Sequence, residues 1–388
     1  MIYLDNAATT KIHPDVLNEM MPYLTDEYGN AGTRYSIGVR AYNAVSKARR
    51  QVAEFVQAST DQIIFTSGGS ESNNLALNGT LDYLLRKGKT RILVSSVEHD
   101  SILRAAEAIS KRPDFSVGYI HVTKEGKVDM NDLMNQMHKK DVGLVSIMYE
   151  NNETGAVNPV SQIGMMCKRH KTLFHTDCVQ AAGWIPIDVD EIGCDFLSIS
   201  SHKIHGCKGV GALYARNKKI LTPQIRGGAN QEFGYRAGTE NVAGIVGFGA
   251  ACELAMVRLQ DMSREYKLKW YFWDKLVDEA KKYDIYDLVH INAMPVDERS
   301  KTLSVRFDGV DSETLILLLD VYGICVSAGS ACKSNETKPS QVLMDMMSEE
   351  EARSTIRISF STMNTKEEVE EAAEVMAGCV SLLVNGVV

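Results

Sequence analysis

Between residues 62 and 215 the chain repeatedly alternates short apolar runs with stretches of helical periodicity, and few folds accommodate that pattern. The strand-like runs fall at 62–65, 91–97, 142–148, 173–176, 196–200 and 211–215. Helix-like segments at 73–85, 101–109 and 159–169 separate several of them. An amphipathic helix precedes the series, with Ala41, Val45, Ala48, Val52 and Phe55 on one face. Strands and helices in this order predict an α/β architecture with a mostly parallel sheet sandwiched by helices. Such sheets bind ligands beyond the carboxyl ends of their strands, and most polar motifs here sit directly after a strand.

From about residue 247 the pattern changes. One long charged helix is expected through about Lys282, then a half-buried strand at 302–307 and a helix at 313–319. Thr365 and Glu368 have the spacing of a capping box that opens a last helix. The expected division is a large domain over 12–250 and a smaller α+β domain formed by 1–11 and 251–388.

The net charge of -8 argues against an electrostatic grip on nucleic acid. No apolar run reaches the roughly 20 residues needed to span a bilayer. The first residues, MIYLDNAATT, have neither a basic nor an apolar leader segment, so a cytoplasmic protein without membrane or direct nucleic-acid partners is expected. Eight cysteines are scattered, with no Cys-x-x-Cys pair, which argues against a disulfide framework or a structural metal. Cys194 and Cys252 read as small apolar core residues.

The strand-end motifs carry the chemistry. FTSGGSESNN (65–74) joins a strand, a glycine turn and a helix start. Amides at a helix N-terminus reached through glycines make an anion site, although a helix capped by Ser70 explains the same letters. His99 follows the next strand, as either a hydrogen-bonded core residue or a catalytic one. MYENNETG (148–155) is polar and turn-forming after a very apolar strand, and HTDCVQ (175–180) sets Asp177 at the end of another. FLSISSHKIHGCKGVG (196–211) delivers Lys203 into a glycine-punctuated turn, about one strand-helix-strand repeat after Asp177. A lysine, an aspartate and an anion cradle at neighbouring strand ends fit what pyridoxal 5'-phosphate requires: a Schiff-base amine, a carboxylate for the ring nitrogen and a seat for the phosphate.

These stretches, with YLDNAATT (3–10), GGANQEFGYRAGTEN (227–241), SAGSAC (327–332) and STIRIS (354–359), together resemble the cysteine desulfurases of the NifS and IscS type. Those are class V, fold-type I pyridoxal-phosphate enzymes, and the likeness runs collinearly over nearly the whole chain. It implies Lys203 as the Schiff-base lysine, Asp177 as partner of the ring nitrogen, and His99 as the residue that stacks on the ring and shuttles protons. Asn152 and Gln180 match amides near the ring oxygen. Gly69, Ser70, Ser200 and His202 match the phosphate cradle, and Thr239 a residue that reaches the phosphate of a neighbouring subunit in a homodimer. Arg357, with Asn152, is implied to hold the substrate carboxylate. No metal is implied.

Cys332 separates desulfurases from their relatives. The resemblance implies that L-cysteine binds with its carboxylate on Arg357, that Lys203 removes the Cα proton, and that the Cys332 thiolate takes the sulfur as a persulfide. Alanine is released, with His99 managing protons, and the sulfur goes to an acceptor protein for iron-sulfur cluster assembly, tRNA thiolation or another pathway. A selenocysteine lyase, a class V aminotransferase or a poorly active sulfur-carrier subunit are the alternatives. The chain departs from the family pattern at Asn30 to Tyr35, at Ser201 and at Cys207, which bears on substrate detail more than on reaction type, and it stops soon after its last helix, which leaves a specialised member open beside a housekeeping one.

Overall fold

The computed structural model describes residues 1–228, 231–261, 263–294, 296–329 and 339–386, with only the backbone for 263–265. In chain order, β1 (Ile2–Tyr3), α1 (Pro14–Leu24) and α2 (Ser36–Phe55) lead to β2 (Ile63–Thr66) and α3 (Gly69–Arg86). Next come β3 (Arg91–Ser95), α4 (Asp100–Ser110), β4 (Ser116–Ile120), α5 (Met130–Met137) and β5 (Val142–Ser146). The alternation continues with α6 (Val160–His170), β6 (Leu173–Asp177), α7 (Val189–Ile192), β7 (Phe196–Ser200) and β8 (Gly211–Ala215). Then follow α8 (Val242–Arg258), α9 (Ser263–Lys282), β9 (Val289–Ile291), β10 (Thr302–Phe307) and α10 (Ser312–Val321). The rest is β11 (Ile324–Cys325), α11 (Gln341–Met344), α12 (Glu349–Arg353), β12 (Thr355–Ser359) and α13 (Lys366–Val384).

Among the described residues, β2 to β8 form one sheet in the order β2-β8-β7-β6-β5-β3-β4. Neighbours from β7 through β4 run parallel, while β8 is antiparallel to both β7 and β2. The reversal follows from length: residues 201–210 are too few for a helical crossover, so β8 returns beside β7. Successive side chains then face opposite cores. Ile64, Ile92, Leu144, Phe196 and Leu213 pack with Leu75 and Leu81 of α3 and Ile102 of α4. Ile63, Leu93, Val145, Leu197 and Ala212 pack with Val52 of α2, Ile163 of α6 and Phe248 of α8. Each large apolar side chain so buried contributes about 1.5–3 kcal/mol.

A separate core joins the chain ends. It holds Leu4, Phe272, Leu303, Ile356 and Val380 around the antiparallel sheet β12-β10-β9 and the parallel pair β1-β11. Residues 5–10 leave this core and lie across the end of β7, where the Thr10 N–H donates to the His202 carbonyl at 2.9 Å.

Two expectations change. The long helix expected to about Lys282 is two, α8 and α9. Most of α8 is buried, against α1, α2 and the sheet core, whereas α9 turns Leu268, Phe272 and Leu276 into the other core. One straight rod cannot bury both faces, and the chain turns at 259–260. The residue before α3 is Gly68 at φ 152, so Ser70 lies in the first turn instead of capping the helix. Thr365 does cap α13, in a capping box with Glu368. Among the described residues no helix is long and apolar enough to cross a membrane.

Candidate active site

The carboxyl ends of β2, β3, β5, β6 and β7 share one edge of the sheet, and the polar motifs meet there. Lys203 follows β7 in a single 3-10 turn, Ser201–Lys203. Its Nζ donates to the carbonyls of Ala7 at 2.5 Å and Ala8 at 2.7 Å. Burial pulls this ammonium down to about 7, helped by the positive charges of Lys301 and Arg357 and opposed by Asp5 and Asp177. An amine so placed is half neutral near neutral pH, as a nucleophile and base must be. Gln180 Nε2 donates to the same Ala7 carbonyl at 3.0 Å, while its Oε1 is buried without a hydrogen-bond partner.

Asp177 ends β6 and is 5% exposed. Its Oδ1 accepts from the Val179 N–H at 2.9 Å and its Oδ2 from Asn73 Nδ2 at 2.7 Å. That Asn73 nitrogen also donates to Ser101 Oγ at 2.9 Å, and Ser101 Oγ lies 2.8 Å from His99 Nδ1. His99 is the N-cap of α4, where Nδ1 accepts the Ser101 N–H at 3.1 Å. A neutral ring therefore carries its proton on Nε2. Beside it, burial pushes the Glu98 carboxyl up to about 8, so Glu98 is mostly neutral at pH 7, bonded to Ser95 at 2.6 Å and to the Met148 N–H at 2.8 Å.

Arg357 comes from the other core, on β12, and is 2% exposed. Its guanidinium donates to the Asn152 carbonyl at 2.9 Å and to Asp5 Oδ1 at 2.6 Å, leaving Nε buried and unpartnered. Asn152 thus meets Arg357 through its main chain. Ser327 exchanges main-chain hydrogen bonds with Arg357 at 2.6 and 3.2 Å, and Ser340 donates to Glu153. Cys332 lies outside the described residues, between these two anchored flanks.

At the expected anion cradle the backbone comes close. A Cβ added at Gly69 would stand 2.7 Å from Val179 Cγ2, and one at Gly211 would stand 2.7 Å from Gly68 Cα. Gly69 and Ser70 open α3 beside Ser200. His202 Nδ1 lies 3.1 Å from Thr9 Oγ1, and burial followed by the charge of Lys203 pulls the ring down to about 3, which keeps it neutral. Thr239 is exposed and is joined to none of these groups by a bond among the described residues. The site fits pyridoxal phosphate: a near-neutral lysine, a buried carboxylate fixed from two sides, an orphaned amide oxygen on Gln180, and helix-start amides that only glycine lets a phosphate approach.

Sequence reasoning did not single out Asn73, Ser101, Glu98 or Asp5. Asn73 and Asp5 lie inside quoted motifs, so their presence was visible and their partners were not. Among the described residues no group of His, Cys, Asp and Glu is arranged to hold a metal ion.

The model of the family described as aminotransferase class-V matches residues 2–371. The cysteine desulfurase IscS of Methanosarcina thermophila is 39% identical over 386 residues, covering 99% of this chain and 93% of its own. A solved structure titled NifS-like protein superposes with a TM-score of 0.88 at 35% identity, covering 98% of this chain and 100% of that one. SspA in complex with cysteine superposes with a TM-score of 0.78 at 31% identity, covering 93% and 99%.

Proposed function

The chain belongs to the class-V aminotransferase family and to its cysteine desulfurases, and from that premise we propose that it converts L-cysteine to L-alanine with pyridoxal phosphate and captures the sulfur on Cys332. The observation that carries this reading is the convergence of Lys203 and Arg357 on residues 5–8. The amine bonds Ala7 and Ala8 while the guanidinium bonds Asp5. A free amino acid needs that pair, a cation for its carboxylate and a base for its Cα proton.

When bound, pyridoxal phosphate supplies an electron sink that makes the Cα–H acidic. Asp177 would hold its ring nitrogen, Gln180 Oε1 its ring oxygen, and Gly69, Ser70, Ser200 and His202 its phosphate. Lys203 Nζ takes the Cα proton. The Arg357 guanidinium orients the carboxylate as a planar fork, which an ammonium does less well, with Asn152 beside it. The Cys332 thiolate attacks the substrate sulfur, so an S–S bond forms as the substrate Cβ–S bond breaks. Protons reach the carbon product through Lys203 and His99 Nε2.

The same reading makes the protein a cytoplasmic homodimer in which the exposed Thr239 serves the neighbouring subunit. The sulfur passes to an acceptor protein of iron-sulfur cluster assembly, tRNA thiolation or a related pathway. The test is mass spectrometry of the Cys332 peptide after L-cysteine is added to the holoenzyme. One added sulfur, matched by alanine, is expected. Cys332→Ala should keep the cofactor and lose alanine formation, and sustained turnover of cysteine by that variant would overturn the assignment. Turnover of selenocysteine alone by Cys332→Ala would favour a lyase.

A further inference from the structure

Lys301 is a buried lysine that the reaction described above does not use. It precedes β10, is 1% exposed, and donates from Nζ to the Gln180 carbonyl at 3.2 Å, with no second hydrogen bond among the described residues. Its main-chain carbonyl is fixed by the Phe360 N–H at 3.0 Å. An apolar side chain would fill this place at lower cost than a buried ammonium with one acceptor. The nearby Lys269 differs, because its Nζ closes the 297–300 turn through the carbonyls of Asp297, Glu298 and Ser300 at 2.8, 3.3 and 2.7 Å.

Glu150 is the buried acid that favours the charge on Lys301 against its burial. Its carboxyl is 1% exposed, accepts from Ser300 Oγ at 2.7 Å through Oε1, and leaves Oε2 buried and unpartnered. Burial pushes this carboxyl upward and the Lys301 ammonium downward, while each stabilises the charge of the other. Arg357 and Arg258 oppose the charge on Lys301; Lys269 supports that on Glu150 and Asp297 opposes it.

From Lys301 a continuous path leads to the reactive amine. Lys301 Nζ holds the Gln180 main chain, Gln180 Nε2 donates to the Ala7 carbonyl at 3.0 Å, and Lys203 Nζ donates to that same carbonyl at 2.5 Å. We propose that Lys301 is a positioning residue for Lys203, acting through Gln180 and the shared Ala7 carbonyl and by its own positive charge. The inference rests on the reading of Lys203 as the cofactor lysine. Lys301 joins the two cores at this point, since its main chain is bonded to Phe360 just after β12 while its Nζ reaches the Gln180 carbonyl just after β6. Its charge is the largest of those that disfavour the Lys203 ammonium, ahead of Arg357, with Asp5 and Asp177 acting in the opposite sense. The neutral amine is the form that bonds the cofactor and accepts a proton.

The test uses the apoprotein, so its readout is independent of turnover. Lys203 is acylated with trace reagent across a pH series, and the extent is read by peptide mass spectrometry. The rate rises with pH as the ammonium loses its proton. In Lys301→Met the midpoint should move up by roughly one pH unit, the usual scale for removing a neighbouring like charge. Lys301→Arg should keep it. Because Lys301→Met leaves Glu150 without its cation, the double variant Glu150→Gln with Lys301→Met is measured too and should show the same rise. An unmoved midpoint in both neutral variants overturns the role of Lys301. Borohydride reduction of the wild-type holoenzyme with peptide mapping tests the underlying reading separately. Cofactor found on a lysine other than 203 overturns both.

Discussion

Asn73 donates one side-chain nitrogen to Asp177 Oδ2 at 2.7 Å and to Ser101 Oγ at 2.9 Å. Since Ser101 is bonded to His99 Nδ1, a single amide on α3 couples the carboxylate at the end of β6 to the histidine that caps α4. The bond between Asn73 and Asp177 is dry, the two being 1% and 5% exposed.

Asn73→Ala should therefore weaken cofactor binding while leaving the fold intact. A hydrogen bond to a buried charge is worth about 1.5–3 kcal/mol, which converts to roughly a 10- to 150-fold rise in the cofactor dissociation constant. Absorbance titration of the apoprotein measures it. A constant changed less than twofold would show that Val179 alone holds Asp177. Asn73→Asp should be worse, because it sets a like charge against Asp177.

Gly69 is a close-approach glycine of the proposed anion cradle whose obstacle is a side chain. In Gly69→Ala the new Cβ meets Val179 Cγ2, 2.7 Å away, and because a valine side chain is stiff at χ1 the expected response is a shift of the start of α3. Cofactor affinity should fall by roughly 5- to 150-fold, the scale of the 1–3 kcal/mol that overpacking costs. The obstacle is the far end of one side chain, which makes the prediction sharp. The double variant Gly69→Ala with Val179→Ala should regain most of the affinity, and failure of that rescue would assign the loss to the helix amides themselves.

The strand-end positions of Asp177, His99 and Lys203 were legible because each follows an apolar run, and a parallel sheet gathers such ends on one edge. Covalent neighbours were legible as well, as in the capping box of Thr365 and Glu368. Contacts between residues far apart in sequence were not. Nothing local in YLDNAATT marks Ala7 as the carbonyl shared by Lys203 and Gln180, or Asp5 as the counter-ion of Arg357. The break between α8 and α9 was hidden for a related reason: each half has good helical periodicity, and only the location of two cores requires them to part. Ser70 misled as a cap because Gly68, at φ 152, already supplies the non-helical turn.

Arg357 is held by both Asp5 and the Asn152 carbonyl, a two-directional grip that a single ammonium cannot reproduce. Arg357→Lys should lower kcat/KM for L-cysteine by roughly 10- to 150-fold, from the loss of one charged hydrogen bond at about 1.5–3 kcal/mol. Cofactor absorbance should be retained. An equal loss of cofactor in this variant would move Arg357 from substrate binding to assembly of the two cores.

His175 sets how the protein responds to acid. It lies on β6 with no exposure, its Nδ1 2.8 Å from Ser146 Oγ on β5 and its Nε2 3.0 Å from Ser198 Oγ on β7. Burial pulls the ring down to about 3. The unfolded chain, with an ordinary histidine near 6.5, binds a proton that the folded chain refuses. Stability is therefore complete above about pH 6.5 and is lost as pH falls toward 3, at about 1.4 kcal/mol per pH unit. Between pH 7.5 and 5 this one residue should cost about 2 kcal/mol. His175→Gln keeps polar atoms toward Ser146 and Ser198 but cannot take up that proton. It should be less stable at pH 7.5, yet its urea midpoint should fall less on acidification than that of the wild type. Parallel declines in the two proteins would place the acid sensitivity elsewhere, with the similarly depressed rings of His202 and His205 the next to replace.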